Sequence, residues 1–300
     1  MTKTQHGIVA CVIGATTWGF NGVVSQFLLS HYPVEPSWLA SIRMCLAGLF
    51  LTLMVLPTKR TEIHQMLHDP VSLRHLVLFA LFGLILSQFS YLSAIKNSNA
   101  GTATVLQTLS VVLMSLYLAV RFHKRPTGRE ILSVFLAFGG VYLAATNGNP
   151  STMVISPLGL TWGLIGAIAC VTYPVQWHPT DPDLLYFMPA NGLGMIIGGV
   201  FLSLTLQVWT VWPALDPTGW LAVAFIVIIG TALSFTAFVT GISKIGPMKA
   251  TLLGTLEPVV ASVTSAIALG TTFHTVELIG YACIIATVFI IILQKKPAIS

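Results

Sequence analysis

Charge is what this sequence has least of. Asp, Glu, Lys and Arg make up 8% of its 300 residues, where soluble chains carry roughly a quarter. A water-facing exterior needs a mixed charged surface, so a soluble globular domain is excluded. Disorder is excluded as well, because 55% of the residues are apolar and the mean hydropathy is +0.86. Cysteine is sparse: Cys11, Cys45, Cys170 and Cys283 lie far apart in apolar runs, with no CxxC pair and no adjacent histidine. That spacing implies neither a disulfide frame nor a zinc site. There is no GxxxxGK[ST] loop, HExxH or GxSxG, and no second deep carboxylate, so nucleotide-driven and hydrolytic chemistries have no signature. His64 and His68 share an i, i+4 spacing without a third ligand, and a solvated turn is expected there rather than a metal. No metal or cofactor is expected elsewhere either.

What fills the sequence is apolar runs. A helix needs about 20 largely apolar residues to cross a bilayer. Ten stretches qualify, near 8–29, 36–57, 74–95, 101–121, 129–146, 158–177, 184–207, 218–243, 248–270 and 275–294. Between them stand turn formers, among them Pro57, Asp69-Pro70, Asn147-Gly148-Asn149-Pro150 and Asp216-Pro217, and the longest expected loop is 58–73. With the N-terminus inside, 12 of the 14 Lys and Arg residues fall in cytoplasmic segments, leaving Lys96 outside and Arg43 within the second span. The expectation is a multi-pass protein of the plasma or inner membrane with both termini cytoplasmic. The basic residues near 121–129 then set topology, and no nucleic-acid partner is implied.

An offset of 147 residues lays Ala103–Leu109 over Ala250–Leu256 and Glu130 over Glu277. The chain therefore reads as a five-helix repeat over 1–146, a linker at 147–154 and a second repeat over 155–300 with a short basic tail. Five is odd, so the second copy starts on the opposite side of the membrane. The predicted fold is all-α, ten transmembrane helices as two inverted five-helix repeats, an architecture that secondary transporters use for alternating access.

Polar groups inside a bilayer are costly unless they face a cavity or one another, so their positions are informative. Candidate substrate-binding residues are Trp18 and Asn21 in helix 1, Gln88 and Tyr91 in helix 3, Gln107 in helix 4, Trp162 and Tyr173 in helix 6, Ser234, Phe235 and Phe238 in helix 8, and Glu257 in helix 9. Taken with Ser25 in helix 1, Gly166 and Ala169 in helix 6 and Thr231 in helix 8, these residues recur at spacings of three, four or seven that place each set on one face, mixing rings, hydroxyls and carboxamides as an amphipathic ligand wall requires. Helix packing is the competing explanation for each such face. Glu257 sits about ten residues into helix 9. A charge at that depth costs roughly 2.5–3.5 kcal/mol on insertion scales, which makes Glu257 the candidate for proton coupling or for binding a cationic group. Capping a backbone carbonyl freed by Pro258 is its structural alternative. Arg43, from which snorkelling toward the outer face is feasible, has a substrate carboxylate, Glu257 or helix-end carbonyls as candidate partners, and a structural ion or carbonyl contact is the favoured expectation. Glu130 and Glu277 open their helices, where the helix dipole and lipid headgroups accommodate them.

The early Thr17-Trp18-Gly19, the run Gly254-Thr255-Leu256-Glu257-Pro258-Val259-Val260 and the downstream Glu277-Leu278-Ile279-Gly280 resemble the EamA domains of the drug/metabolite transporter superfamily. Two places depart from that pattern. Leu109-Ser110-Val111 stands where the family often has a proline, and Gly270-Thr271 replaces a frequent Gly-Glu. The resemblance implies a basket of ten helices around a central cavity, helices 5 and 10 at its periphery, and export of small organic metabolites or drugs.

Together these readings predict a secondary transporter, monomeric or homodimeric, whose partners are the bilayer and a small molecule: an amino acid or a small amphipathic or cationic compound. The alternatives are a receptor or scaffold without flux, and an intramembrane enzyme. A channel is disfavoured, since no ring of charge or filter loop is visible.

Overall fold

The structure is a computed structural model and describes residues 2–121, 127–149, 153–176 and 187–292. Among these residues the chain folds into ten helical runs. They are α1 Lys3–His31, α2 Pro36–His68, α3 Pro70–Asn97, α4 Ala100–Arg121, α5 Gly128–Thr146, α6 Pro157–Gln176, α7 Phe187–Leu206, α8 Pro217–Ile245, α9 Pro247–Leu269 and α10 Thr275–Ile292. Eight contain stretches long and apolar enough to cross a membrane, while α6 and α10 hold shorter apolar runs. Large apolar side chains face outward, as lipid requires: Phe135 and Phe138 on α5 are more than 70% exposed.

Local chemistry sets the boundaries. Asp69 and Asp216, 147 residues apart, each accept a backbone N–H as the N-cap of α3 and α8, with proline next, where a missing N–H costs nothing. Both helices then pass through a π-helical stretch, Phe79–Ile85 in α3 and Phe225–Leu233 in α8. In α8 the Thr231 and Ser234 hydroxyls bond the Ile226 and Ile229 carbonyls five residues back, filling the loosened turn. Helix α4 breaks at Leu109 and α9 at Thr255. Asn147 takes a left-handed φ of 52° to end α5, as the Asn-Gly pair there anticipates.

Packing follows the same correspondence. Helix α2 lies along α7, α5 along α10 and α4 against α9; α1 packs on α8 and α9, as α6 packs on α3 and α4. Exchanging the first five helices with the last five leaves this pattern unchanged, which is what two-fold related repeats produce. Close approach depends on missing side chains: a Cβ on Gly140 would lie 2.7 Å from the Gly280 carbonyl, and one on Gly280 2.6 Å from that of Gly140. Gly194 and Gly198 of α7 are likewise packed against α2 and α3.

One end of the bundle is tied by polar and aromatic contacts. The Tyr32 hydroxyl donates to Asp216 (2.6 Å), Lys96 pairs with Glu35 (2.7 Å), and Gln26 joins Thr271 to the Ala100 amide. Trp38 packs against Trp212 and Trp220 there, centroids 5.6 and 6.3 Å away.

Two expectations need correction. The segment 58–73 is not a loop: α2 runs on to His68, kinks at Lys59 (φ −128°, ψ 26°) just after Pro57, and leaves only Asp69 before α3. The extension persists because Ile63 and Met66 are buried and Lys59 pairs with Glu62 at 3.1 Å. Glu277 does not reach lipid headgroups. It is buried, receiving the Tyr281 hydroxyl and the His274 amide, and Tyr281 in turn meets Thr102 of α4.

Candidate functional site

The break in α9 fixes the deepest acid. Thr255 (φ −66°, ψ −8°) interrupts the helix, and a second segment starts at Leu256 with Glu257 in its first turn. Pro258 is buried in that same turn, a position that needs no N–H, and Glu257 makes no hydrogen bond to a freed carbonyl among the described residues. The carboxylate is half-buried inside the bundle and interacts electrostatically with Arg43 of α2 and Tyr91 of α3.

Around it stand the side chains of a second layer. Arg43 does not snorkel. It is 6% exposed and turned inward, its Nε donating to Thr231 Oγ1 at 3.0 Å across the α2–α8 contact. Tyr91 is buried against α1, where a Cβ on Gly22 would lie 2.7 Å from its hydroxyl. Asn21 is buried against α8, within 2.3 Å of where a Cβ on Gly230 would lie. The Asn21-Gly22 and Gly230-Thr231 pairs therefore bring α1, α2, α3 and α8 together at one level. A side chain at Gly22 would displace the Tyr91 hydroxyl, and one at Gly230 would displace Asn21.

An aromatic wall adjoins this level. Trp18 packs on Phe238 and Phe235 of α8, with centroids 4.8 and 6.2 Å away, and all three rings are half-buried. The Ser234 hydroxyl is engaged in packing, 2.6 Å from Thr17 Oγ1 of α1. Gln107 of α4 donates to Cys170 Sγ of α6 at 3.2 Å, and Cys170 lies within the field of Glu257. Trp162 stands edge-on to Phe89, 5.2 Å away, on the α6–α3 side. Gln88 is half-buried on α3 and shares no hydrogen bond with these groups among the described residues. The Tyr173 side chain lies outside the described residues.

The structure thus brings together Trp18, Asn21, Tyr91, Phe235, Phe238 and Glu257. Gln107 joins through Cys170, while Trp162 and Gln88 sit to one side. The sequence places Thr231 on the helix 8 stripe and allows Arg43 a partner inside the bundle, but it favours a structural contact for Arg43 and does not anticipate that these two residues meet. A signal existed for Arg43, the only cation inside a span, but its direction depends on which helix lies opposite. Chemically, the arrangement offers one fixed cation, one ionisable acid, neutral hydrogen-bonding groups and an aromatic face, the parts of a small-molecule site.

The same geometry has known relatives. A solved crystal structure matches 96% of this chain with 95% of its own, at a TM-score of 0.60 and 18% identity, a likeness of fold. The chain is 29% identical over 296 residues to the uncharacterized inner membrane transporter YicL of Salmonella typhimurium, covering 99% of this chain and 98% of the relative. It is 25% identical to the uncharacterized inner membrane transporter YedA of Escherichia coli (94% and 91% covered) and 24% identical to the uncharacterized transporter YyaM of Bacillus subtilis (87% of each). The profile of the EamA-like transporter family matches twice, over residues 5–146 and 157–293. A multi-pass helical chain matched over nearly its whole length in this way belongs to the EamA-like transporter family.

Proposed function

We propose that this membrane transporter is a secondary carrier for a small organic metabolite, an amino acid or a small amphipathic or cationic compound. It exports that compound by alternating access between the two five-helix halves, with Glu257 carrying the coupling proton. The observation that carries the reading is Glu257 itself: a half-buried carboxylate at a helix break, beside an aromatic wall and within the field of one buried arginine. A carboxylate with no fixed ion-pair partner can bind and release a proton as its surroundings change, the property a coupled carrier needs. The repeated packing supports two halves that rock against each other. The Lys/Arg bias supports both termini on the cytoplasmic side of the cell membrane.

The test is pH-driven uptake, above that of protein-free vesicles, in liposomes containing the purified chain. Labelled amino acids and amines are moved against their gradients by an imposed pH difference. Glu257→Gln is expected to keep exchange at equal pH and to lose the pH-driven accumulation. Accumulation that survives Glu257→Gln removes the proton role, and the absence of movement for every compound favours a receptor or scaffold.

A further inference from the structure

The exposed side chains of α2 follow one stripe. Leu46, Leu49, Leu53 and Leu56 recur at spacings of three and four and are 39–56% exposed, while Met44, Ala47 and Leu51 on the opposite side are buried. From Leu46 to Leu56 the helix rises about 15 Å, the hydrocarbon depth of one leaflet. Beyond Leu56 the spacing continues and the chemistry changes. Arg60 and His64, one turn and two turns on, carry the stripe forward, and the kink at Lys59 leaves both exposed. The nearest acid is already engaged, since Glu62 pairs with Lys59 at 3.1 Å. Arg60 itself makes no ion pair within 4.0 Å among the described residues. The His64 ring is steadied by the His68 ring, with centroids 3.8 Å apart. A lipid-facing run of leucines thus ends, at headgroup depth, in an unpaired guanidinium.

We propose that this stripe binds one anionic phospholipid, with an acyl chain along Leu46 to Leu56 and the phosphate at Arg60 and His64. The stripe faces away from the bundle, so the proposal is independent of what the carrier moves. The guanidinium fork matches two phosphate oxygens, and His64 adds a ring N–H. Charge selects the lipid. A monoanionic headgroup answers the one unpaired cation, whereas a zwitterionic headgroup brings a second cation into the same layer. A free anion fits less well, because Arg60 and His64 lie on an open surface and the leucines would contribute nothing to holding it.

The experiment uses the full chain with Leu56 replaced by the photocrosslinker p-benzoylphenylalanine. The vesicles hold equal amounts of dioleoylphosphatidylglycerol and dioleoylphosphatidylcholine, so the acyl chains are identical. The ratio of the two lipid adducts is read by mass spectrometry. At position 56 phosphatidylglycerol is expected to lead by about fivefold, the value of one basic residue against an anionic surface. Arg60→Gln should bring the ratio near one and His64→Gln should narrow it. Arg74→Gln, at an exposed arginine off the stripe, should leave it unchanged. The same crosslinker in place of the lipid-facing Leu204 of α7 should return the vesicle composition. Comparison of positions 56 and 204 in the otherwise wild-type chain decides by itself where a variant does not fold. Equal adducts at position 56 would overturn the proposal, as would no lipid adduct there. A preference that survives Arg60→Gln, or that Arg74→Gln removes equally, also overturns it. Loss of the preference in excess inorganic phosphate would assign Arg60 to a soluble anion and overturn the lipid site.

Discussion

Replacing Thr231 by valine keeps the shape of the side chain and removes one hydroxyl, so it isolates what holds Arg43 in place. That hydroxyl accepts from Arg43 Nε at 3.0 Å and donates to the Ile226 carbonyl at 2.7 Å. A hydrogen bond to a charged donor is worth about 1.5–3 kcal/mol when its partner is left buried and unmatched. Arg43 already has one nitrogen without a partner, so no spare acceptor takes over. The control is Thr236→Val, a little more than one turn further along α8, where the hydroxyl makes an intrahelical bond to Ala232 at 2.8 Å. Both variants lose a helix back-bond, and only Thr231→Val loses the arginine. For a chain of this size about 1 kcal/mol moves Tm by about 2–4 °C, so Thr231→Val should unfold about 3–12 °C below Thr236→Val in the same detergent. In an Arg43→Met background the two substitutions should differ little, because the coupling between contacting residues has then been removed. Equal melting of the two single variants would show that the Arg43–Thr231 bond does not anchor the arginine, and the site would lose its fixed cation.

Other perturbations test other parts of the fold. Gly140→Ala should cost about 1–3 kcal/mol in thermal unfolding, the range for overpacking, because its Cβ would meet the Gly280 carbonyl on α10. An unchanged Tm would mean that α5 and α10 are not in backbone contact. The Asp216 carboxylate is held below its ordinary range first by the Tyr32 hydroxyl and then by the Gly219 amide. A group whose folded-state value is depressed adds stability above its unfolded value, near pH 4, and that stability disappears as pH falls through the folded value. Melting curves of wild type should therefore fall away below about pH 4 more steeply than those of Asp216→Asn. Curves that run parallel refute the contact. Lys96→Ala should change stability by no more than about 1 kcal/mol despite its 2.7 Å pair with Glu35, because both side chains are substantially exposed.

Much of the helical frame is legible in the sequence because its signals are local. Asp-Pro before α3 and α8, Asn-Gly after α5 and the twenty-residue apolar runs each act within a few residues. Pro57 misleads for the same reason. A proline reads as a stop, but the burial of Ile63 and Met66, which keeps α2 going, is a tertiary effect. The π-helical stretches are silent, since Phe79–Ile85 is apolar throughout and Phe225–Leu233 apolar but for Thr231, which leaves no periodicity to register an extra residue. At the site, depth in a span identified Asn21, Tyr91 and Glu257 as unusual. What depth does not give is direction. Arg43 turns toward α8 because Thr231 is opposite, 188 residues away in the chain, and no local pattern encodes that meeting.

The fastenings at the Tyr32–Asp216 end are several and individually small: a phenol on a carboxylate, an exposed ion pair, a glutamine bridge and three packed indoles. A single strong clasp would make release all-or-none, whereas many weak ones can give way one after another, each step well below the sum. On the carrier reading proposed above, loss of any one would tilt the resting balance between shut and open by a factor of a few and would not jam the molecule. An end fastened in this way can be retuned by drift, one residue at a time, while the buried layer of Arg43 and Thr231 is left alone.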